Sequence, residues 1–173
     1  AAAGTRSFHY SAGNYTGHST GIHQEFDGNA QPEYVSFYVR PGATNTATGY
    51  FRLDAGTTSN PVQAIWFFAQ SNGRFYVNEN VGGDNTYIYQ PNAWYHIEFR
   101  DIDWQNKNFD FYVNGQLIKA DIPFRNASEV NSFGVLWLYN FSPFSDAWWD
   151  EIYLGEPAAE WLSVASPRSG TVA

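Results

Sequence analysis

Two runs decide the fold: Trp94-Tyr95-His96-Ile97-Glu98-Phe99-Arg100, and then Asn108-Phe109-Asp110-Phe111-Tyr112-Val113-Asn114-Gly115-Gln116-Leu117-Ile118-Lys119. In the first, Tyr95, Ile97 and Phe99 alternate with Trp94, His96, Glu98 and Arg100. In the second, Phe109, Phe111 and Val113 alternate with Asp110, Tyr112 and Asn114. A period of two is the pattern of a strand with one buried face. Asn114-Gly115 stands where a two-residue turn needs positive φ at both positions, and Leu117-Ile118 begins a return strand. The spacing predicts three consecutive antiparallel strands with one apolar face. The other face carries His, Glu, Arg, Asp and Tyr.

The same period recurs on either side. Val35, Phe37 and Val39 alternate with Tyr34, Ser36, Tyr38 and Arg40, and Pro41-Gly42 ends that run. Tyr50-Phe51-Arg52-Leu53-Asp54 and Ala64-Ile65-Trp66-Phe67-Phe68-Ala69 follow, and Asn72-Gly73 predicts a second hairpin of the same chemistry into Arg74-Phe75-Tyr76-Val77. Thr86-Tyr87-Ile88-Tyr89, Val135-Leu136-Trp137-Leu138-Tyr139 and Trp148-Trp149-Asp150-Glu151-Ile152-Tyr153-Leu154 read as further strands, as do Arg6–Tyr10 and Gly21–Phe26. No stretch of ten residues has helical apolar spacing. Many short strands and no helix predict an all-β fold, a two-sheet antiparallel β-sandwich or a barrel.

Composition narrows the partners. The chain has 173 residues, enough for one domain with a full core. Aromatic residues make up 19% and charged residues 15%, so rings remain for a surface once a core is filled. The net charge of −8 and the lack of a basic stripe argue against a nucleic-acid backbone as the main partner, while a local Arg cluster can still bind a polyanion. There is no cysteine, hence no disulfide or thiol chemistry, and no apolar run long enough to span a membrane. Ala1-Ala2-Ala3-Gly4 reads as a cut or processed boundary. Seven of the nine basic residues are Arg. In strands they serve cross-strand pairing with acids or form guanidinium forks for carboxylate or sulfate on a ligand. His9, His18 and His23 share one region, but their spacing matches no metal site, and they read as surface histidines.

Taken in order, Val35–Pro41, Trp94-Tyr95-His96-Ile97, Phe111-Tyr112-Val113-Asn114-Gly115 and Asp150-Glu151-Ile152 resemble the motifs of concanavalin-like, laminin-G-like jelly-roll domains. The resemblance runs over residues 5 to 155, and the chain departs from it at Asn114, where the family often has Asp. It implies two antiparallel sheets, one of them concave, and binding of glycans or partner proteins. It also implies a structural calcium, with Asp150 at the matching position and Asp27 as a second ligand. Residues 156 to 173 read as a linker and the opening strand of an immunoglobulin-like module, because Trp161-Leu162-Ser163-Val164 through Ser169-Gly170-Thr171-Val172 resembles the start of such modules in bacterial surface and secreted proteins. The expected setting is therefore a secreted or surface-attached bacterial multidomain protein, with this chain covalently linked to other domains.

The fold also hosts enzymes, so site chemistry has to decide. Retaining hydrolysis needs two carboxylates about 5 Å apart, and no Glu-x-Asp-x-x-Glu run is present. A lyase needs a base, an acid and a group that neutralises the uronate; neither of the motifs that supply them in jelly-roll alginate lyases occurs. The sequence thus reads as a non-catalytic carbohydrate-binding module. Its ligand residues are Tyr38, Arg40, Arg52, Trp66, Arg100, Tyr112, Trp137 and Tyr139, exposed on one β-face, and the Arg–aromatic mixture suits an acidic polysaccharide. The alternatives are a protein-binding or spacer domain of an adhesin or secreted protease, and a hydrolase or lyase. The last would need a pocket with two acids, or a Tyr–His pair beside an Arg.

Overall fold

The computed structural model describes residues 1–2, 4–12, 17–18, 21–78 and 87–156, with the side chains of residues 27–29 outside the description. Among the described residues eleven strands run in chain order: β1 Phe8–Ser11, β2 Ile22–Ala30, β3 Tyr34–Pro41, β4 Thr48–Thr57, β5 Asn60–Ala69, β6 Phe75–Val77, β7 Tyr95–Asp103, β8 Asn108–Val113, β9 Gln116–Pro123, β10 Phe133–Tyr139 and β11 Asp146–Gly155. They form two antiparallel sheets, six-stranded in the order β1-β11-β3-β7-β8-β9 and five-stranded in the order β2-β10-β4-β5-β6. The fold is the all-β sandwich that the alternation predicts.

The predicted meander is β7-β8-β9, with Ile97 opposite Val113 and Val113 opposite Gln116. Asn114 and Gly115 have φ of 51° and 77°, the mirror-image turn that matches strand twist. The Asn72-Gly73 hairpin differs from expectation. Only Gly73 has positive φ, at 77°, and the connection is wider: Gln70 N donates to Arg74 O at 2.8 Å, while Asn72 Oδ1 accepts from Arg74 N at 3.1 Å. Of the expected strand at 86–89, the described part is a single bridge, Ile88 to Arg74. Residues 157–173, and with them the whole of the expected opening strand of an immunoglobulin-like module, lie outside the described residues.

Between the sheets lies one apolar core. Val35, Phe37 and Val39 of β3, Ile97 and Phe99 of β7, and Phe109, Phe111 and Val113 of β8 meet Phe51, Leu53, Ile65, Phe67, Leu136 and Leu138 from the other sheet. Phe37 stacks on Phe51 across the gap at 4.0 Å between centroids, and Phe67 meets Phe37 edge-on at 5.4 Å. A second apolar cluster sits outside this core, on the far face of the five-stranded sheet. It comprises Tyr50, Phe68, Val135, Trp137 and Tyr139, with Trp66 and Tyr76 packed against it. That sheet is therefore aromatic on both faces, which is where the surplus of rings goes.

Candidate ligand-binding face

Strand register aligns the outward residues of the five-stranded sheet into rows. His23 of β2 lies opposite Trp137 of β10, Trp137 opposite Arg52 of β4, and Arg52 opposite Trp66 of β5. The next row holds Tyr139 opposite Tyr50, with Phe68 opposite Tyr76 beyond. The Arg52 guanidinium lies 5.1 Å from the Trp137 ring centroid and 5.8 Å from that of Tyr139, within cation–π range. Arg52 Nη2 forms an ion pair with Asp54 Oδ2 at 2.8 Å, both side chains buried. This pair runs along one strand at i and i+2, not across strands as the sequence predicts. Arg52 Nε has no hydrogen-bond acceptor among the described residues. Burial pushes Asp54 up to about 6 in spite of Arg52.

A ring cup opens beside this row. Tyr139 Oη accepts from Trp66 Nε1 at 2.9 Å and shares a hydrogen bond with His18 Nδ1 at 3.0 Å. The His18 ring stacks on Phe141 at 4.3 Å and stands edge-on to Tyr50, Trp66 and Tyr139. Arg125, just past β9, lays its guanidinium over Trp66 at 4.6 Å. Burial first, then Arg52 and Arg125, hold the His18 imidazole below its ordinary range and favour its neutral form. Burial raises Tyr139 to about 12. Asn78, at φ 37°, fixes the backbone beneath Trp66: its Oδ1 accepts from Trp66 N at 2.7 Å and its Nδ2 donates to Ala64 O and Pro123 O.

The eight predicted ligand residues are not on one face. Arg52, Trp66, Trp137 and Tyr139 share the outer face of the five-stranded sheet, whereas Tyr38, Arg40, Arg100 and Tyr112 share the outer face of the six-stranded sheet. Nor are they uniformly exposed, since Arg52, Trp137 and Tyr139 are buried and Trp66 is half-buried. On the six-stranded sheet Arg40 stacks on Trp148 at 4.6 Å, Arg100 on Tyr112 at 4.0 Å and Tyr38 on His96 at 4.5 Å. Beneath them Glu98 is buried and accepts from Tyr34 Oη at 2.9 Å and Arg100 Nη2 at 2.8 Å. Its cations and rings are already paired with one another across the face.

His18, Arg125, Phe141 and Asn78 were not legible as site residues. His18 is a half-buried member of the cup, so its surface reading is corrected, whereas His23 is exposed as that reading has it and packs on Trp137 at 4.9 Å. Asp150 accepts from Ala2 N at 2.8 Å and from Glu151 N at 3.0 Å. Calcium takes about six to eight oxygens. Among the described residues no group of three His, Cys, Asp or Glu gathers to hold a metal, and the Asp27 side chain lies outside the description.

No family model matches the chain and no curated protein sequence matches it. Solved structures do. A sialidase superposes with a TM-score of 0.57 at 13% identity over 78% of this chain, which spans only 14% of the sialidase. A variant of human galectin-16 gives 0.55 at 10% identity, covering 78% of this chain and 94% of the galectin. An alginate lyase solved with an alginate trisaccharide gives 0.52 at 12% identity, over 88% and 82%. These likenesses show the sandwich fold.

Proposed function

We propose that this chain is a carbohydrate-binding module whose ligand lies across the outer face of the five-stranded sheet. The observation that carries the reading is the row His23–Trp137–Arg52–Trp66, set by register across four neighbouring strands. A pyranose has an apolar face that packs on rings and hydroxyls that pair with fixed polar groups, and small-ligand sites combine these two features. Trp66 offers a partly open ring held in place from its backbone by Asn78, while Arg52 supplies a buried donor. The setting we propose is a secreted or surface-attached bacterial multidomain protein in which the module keeps its neighbours close to a polysaccharide.

Binding to immobilised neutral and acidic polysaccharides tests the reading, with released sugar ends measured on every retained ligand. Retention without new ends is the expected result. Retention of none would transfer the proposal to a protein-binding or spacer role. A second reading, a lyase, is favoured by one observation: Tyr139 and His18 are hydrogen-bonded to each other, with Arg52 Nη1 donating to His18 O at 3.3 Å. Against it, Tyr139 is fully buried, and its hydroxyl is already held by Trp66 and His18. Unsaturated ends absorbing in the ultraviolet would establish that reading.

A structural calcium at Asp150 is proposed on the resemblance and on that single carboxylate. Chelation should lower the melting temperature, calcium should restore it, and Asp150→Ala should abolish the response, because a ligand of the folded state alone stabilises by mass action. A melting curve indifferent to chelator would remove calcium from the account.

A further inference from the structure

We infer that His18 occupies, from within the chain, a sugar subsite formed by Tyr50, Trp66, Tyr139 and Phe141, and that this subsite takes a carboxylate-bearing pyranose when the imidazole leaves it. The inference rests on the proposed glycan-binding function and deepens it.

Three features of the cup point to a ligand. First, its contents are those of a ring-binding site. One flat ring, His18, is stacked on Phe141 and ringed edge-on by three further aromatics, with a fixed hydroxyl, Tyr139 Oη, bonded to its polar atom. A pyranose offers the same combination of ring and edge hydroxyl. Second, the imidazole comes from the β1–β2 connection, whereas Tyr50, Trp66 and Tyr139 belong to the sheet and Phe141 to the connection after β10. His18 belongs to no strand, so its imidazole can leave the cup without breaking a strand hydrogen bond. Third, the surroundings favour an anion. Arg52 and Arg125 both disfavour the charged imidazole, and Arg52 Nε is a buried donor lacking an acceptor. A carboxylate supplies the acceptor and accepts a charge-assisted hydrogen bond. Other titratable groups of this sheet face are Asp54, paired with Arg52, His23, packed on Trp137, and Glu25, which lies opposite Val135 and accepts from Thr58.

A self-occupied site binds weakly in proportion to the fraction of molecules in which it is empty, and emptying it permanently removes that handicap. His18→Ala should therefore bind oligogalacturonate about tenfold more tightly than the unaltered chain, with no comparable gain for neutral cellohexaose. His18→Phe keeps a ring in the cup and should show no gain. In the unaltered chain, the His18 imidazole resonance, identified by its loss in His18→Ala, should shift when oligogalacturonate is added. Titration calorimetry and proton NMR read these outcomes.

If the unaltered chain is retained on polysaccharide and His18→Ala binds oligogalacturonate no more tightly, the inference fails while the glycan-binding function stands. An equal gain for cellohexaose overturns the carboxylate specificity. Silence of both proteins toward every polysaccharide overturns the function, and the inference with it.

Discussion

Asp54→Ala should destabilise the protein by about 3–5 kcal/mol, the cost of leaving one member of a buried ion pair alone. Asp54 and Arg52 are 0% and 3% exposed and sit 2.8 Å apart, so water cannot replace the lost carboxylate. Equilibrium unfolding in urea measures this as a lower midpoint with an unchanged slope. Glu98→Ala, on the opposite face, is the comparison. Its partner Arg100 is 17% exposed and stacks on Tyr112, so part of the stranded charge is rehydrated and about 1–3 kcal/mol is expected. Replacing Arg52 and Asp54 together by Met and Leu should recover most of the loss, because removing both charges removes the desolvation cost as well. A double variant as unstable as Asp54→Ala would show that the pair, and not the stranded charge, governs stability.

The same pair gives a pH dependence of definite sign. Burial raises Asp54 from 3.8 to about 6, so the folded state holds a proton that the unfolded chain releases. The resulting stabilisation is fully present below pH 3.8 and is lost as pH rises through 6. Between pH 7 and pH 4 the unaltered chain should gain stability relative to Asp54→Asn, by up to about 3 kcal/mol. A parallel pair of stability–pH curves would contradict the raised value.

Strand phase carried much of this fold, and its limits are visible in particular residues. Phase correctly sends Phe37, Phe51, Ile97 and Phe111 to the core, because a one-residue slip would expose a whole apolar set. Phase reports in or out of the sandwich, but not which sheet a strand joins. Sheet order here places β11 between β1 and β3, and β10 between β2 and β4, pairings between segments roughly a hundred residues apart that leave no local signal. Hence Trp66 and Tyr112, alike in sequence context, end on opposite faces. Phase also equates outward with wet. Glu98 and Arg52 are outward and dry because rings and cations of neighbouring strands close over them. His18 and Asn78 belong to connections, where no period exists, and their roles depend on what the chain brings beside them. Two different turns from the same Asn-Gly dipeptide, at 72–73 and 114–115, mark the limit of local turn chemistry: the first must also place Tyr89 N on Gly73 O.

The choice between the two faces can be made by one comparison. Trp66→Ala should weaken polysaccharide binding by about 30-fold or more, the loss typical of a dominant aromatic contact of about 2 kcal/mol. The substitution removes the half-open ring, the surface on which Arg125 lies, and the donor that fixes Tyr139 Oη. Tyr112→Ala removes a half-buried ring of the other face together with its contact to Arg100, and should leave affinity within about twofold. The two variants are matched in kind, each deleting a half-buried aromatic that carries a guanidinium, so general destabilisation affects both. Circular dichroism and urea midpoints establish that each is folded before affinity is compared by calorimetry. Trp66→Phe separates stacking from hydrogen bonding, since it keeps a ring and loses the Nε1 donor; an intermediate affinity is expected. The reverse pattern, binding lost with Tyr112→Ala and kept with Trp66→Ala, would place the ligand on the six-stranded sheet. There Tyr38, His96, Arg100 and Tyr112 would have to give up the contacts they make with one another in order to receive it.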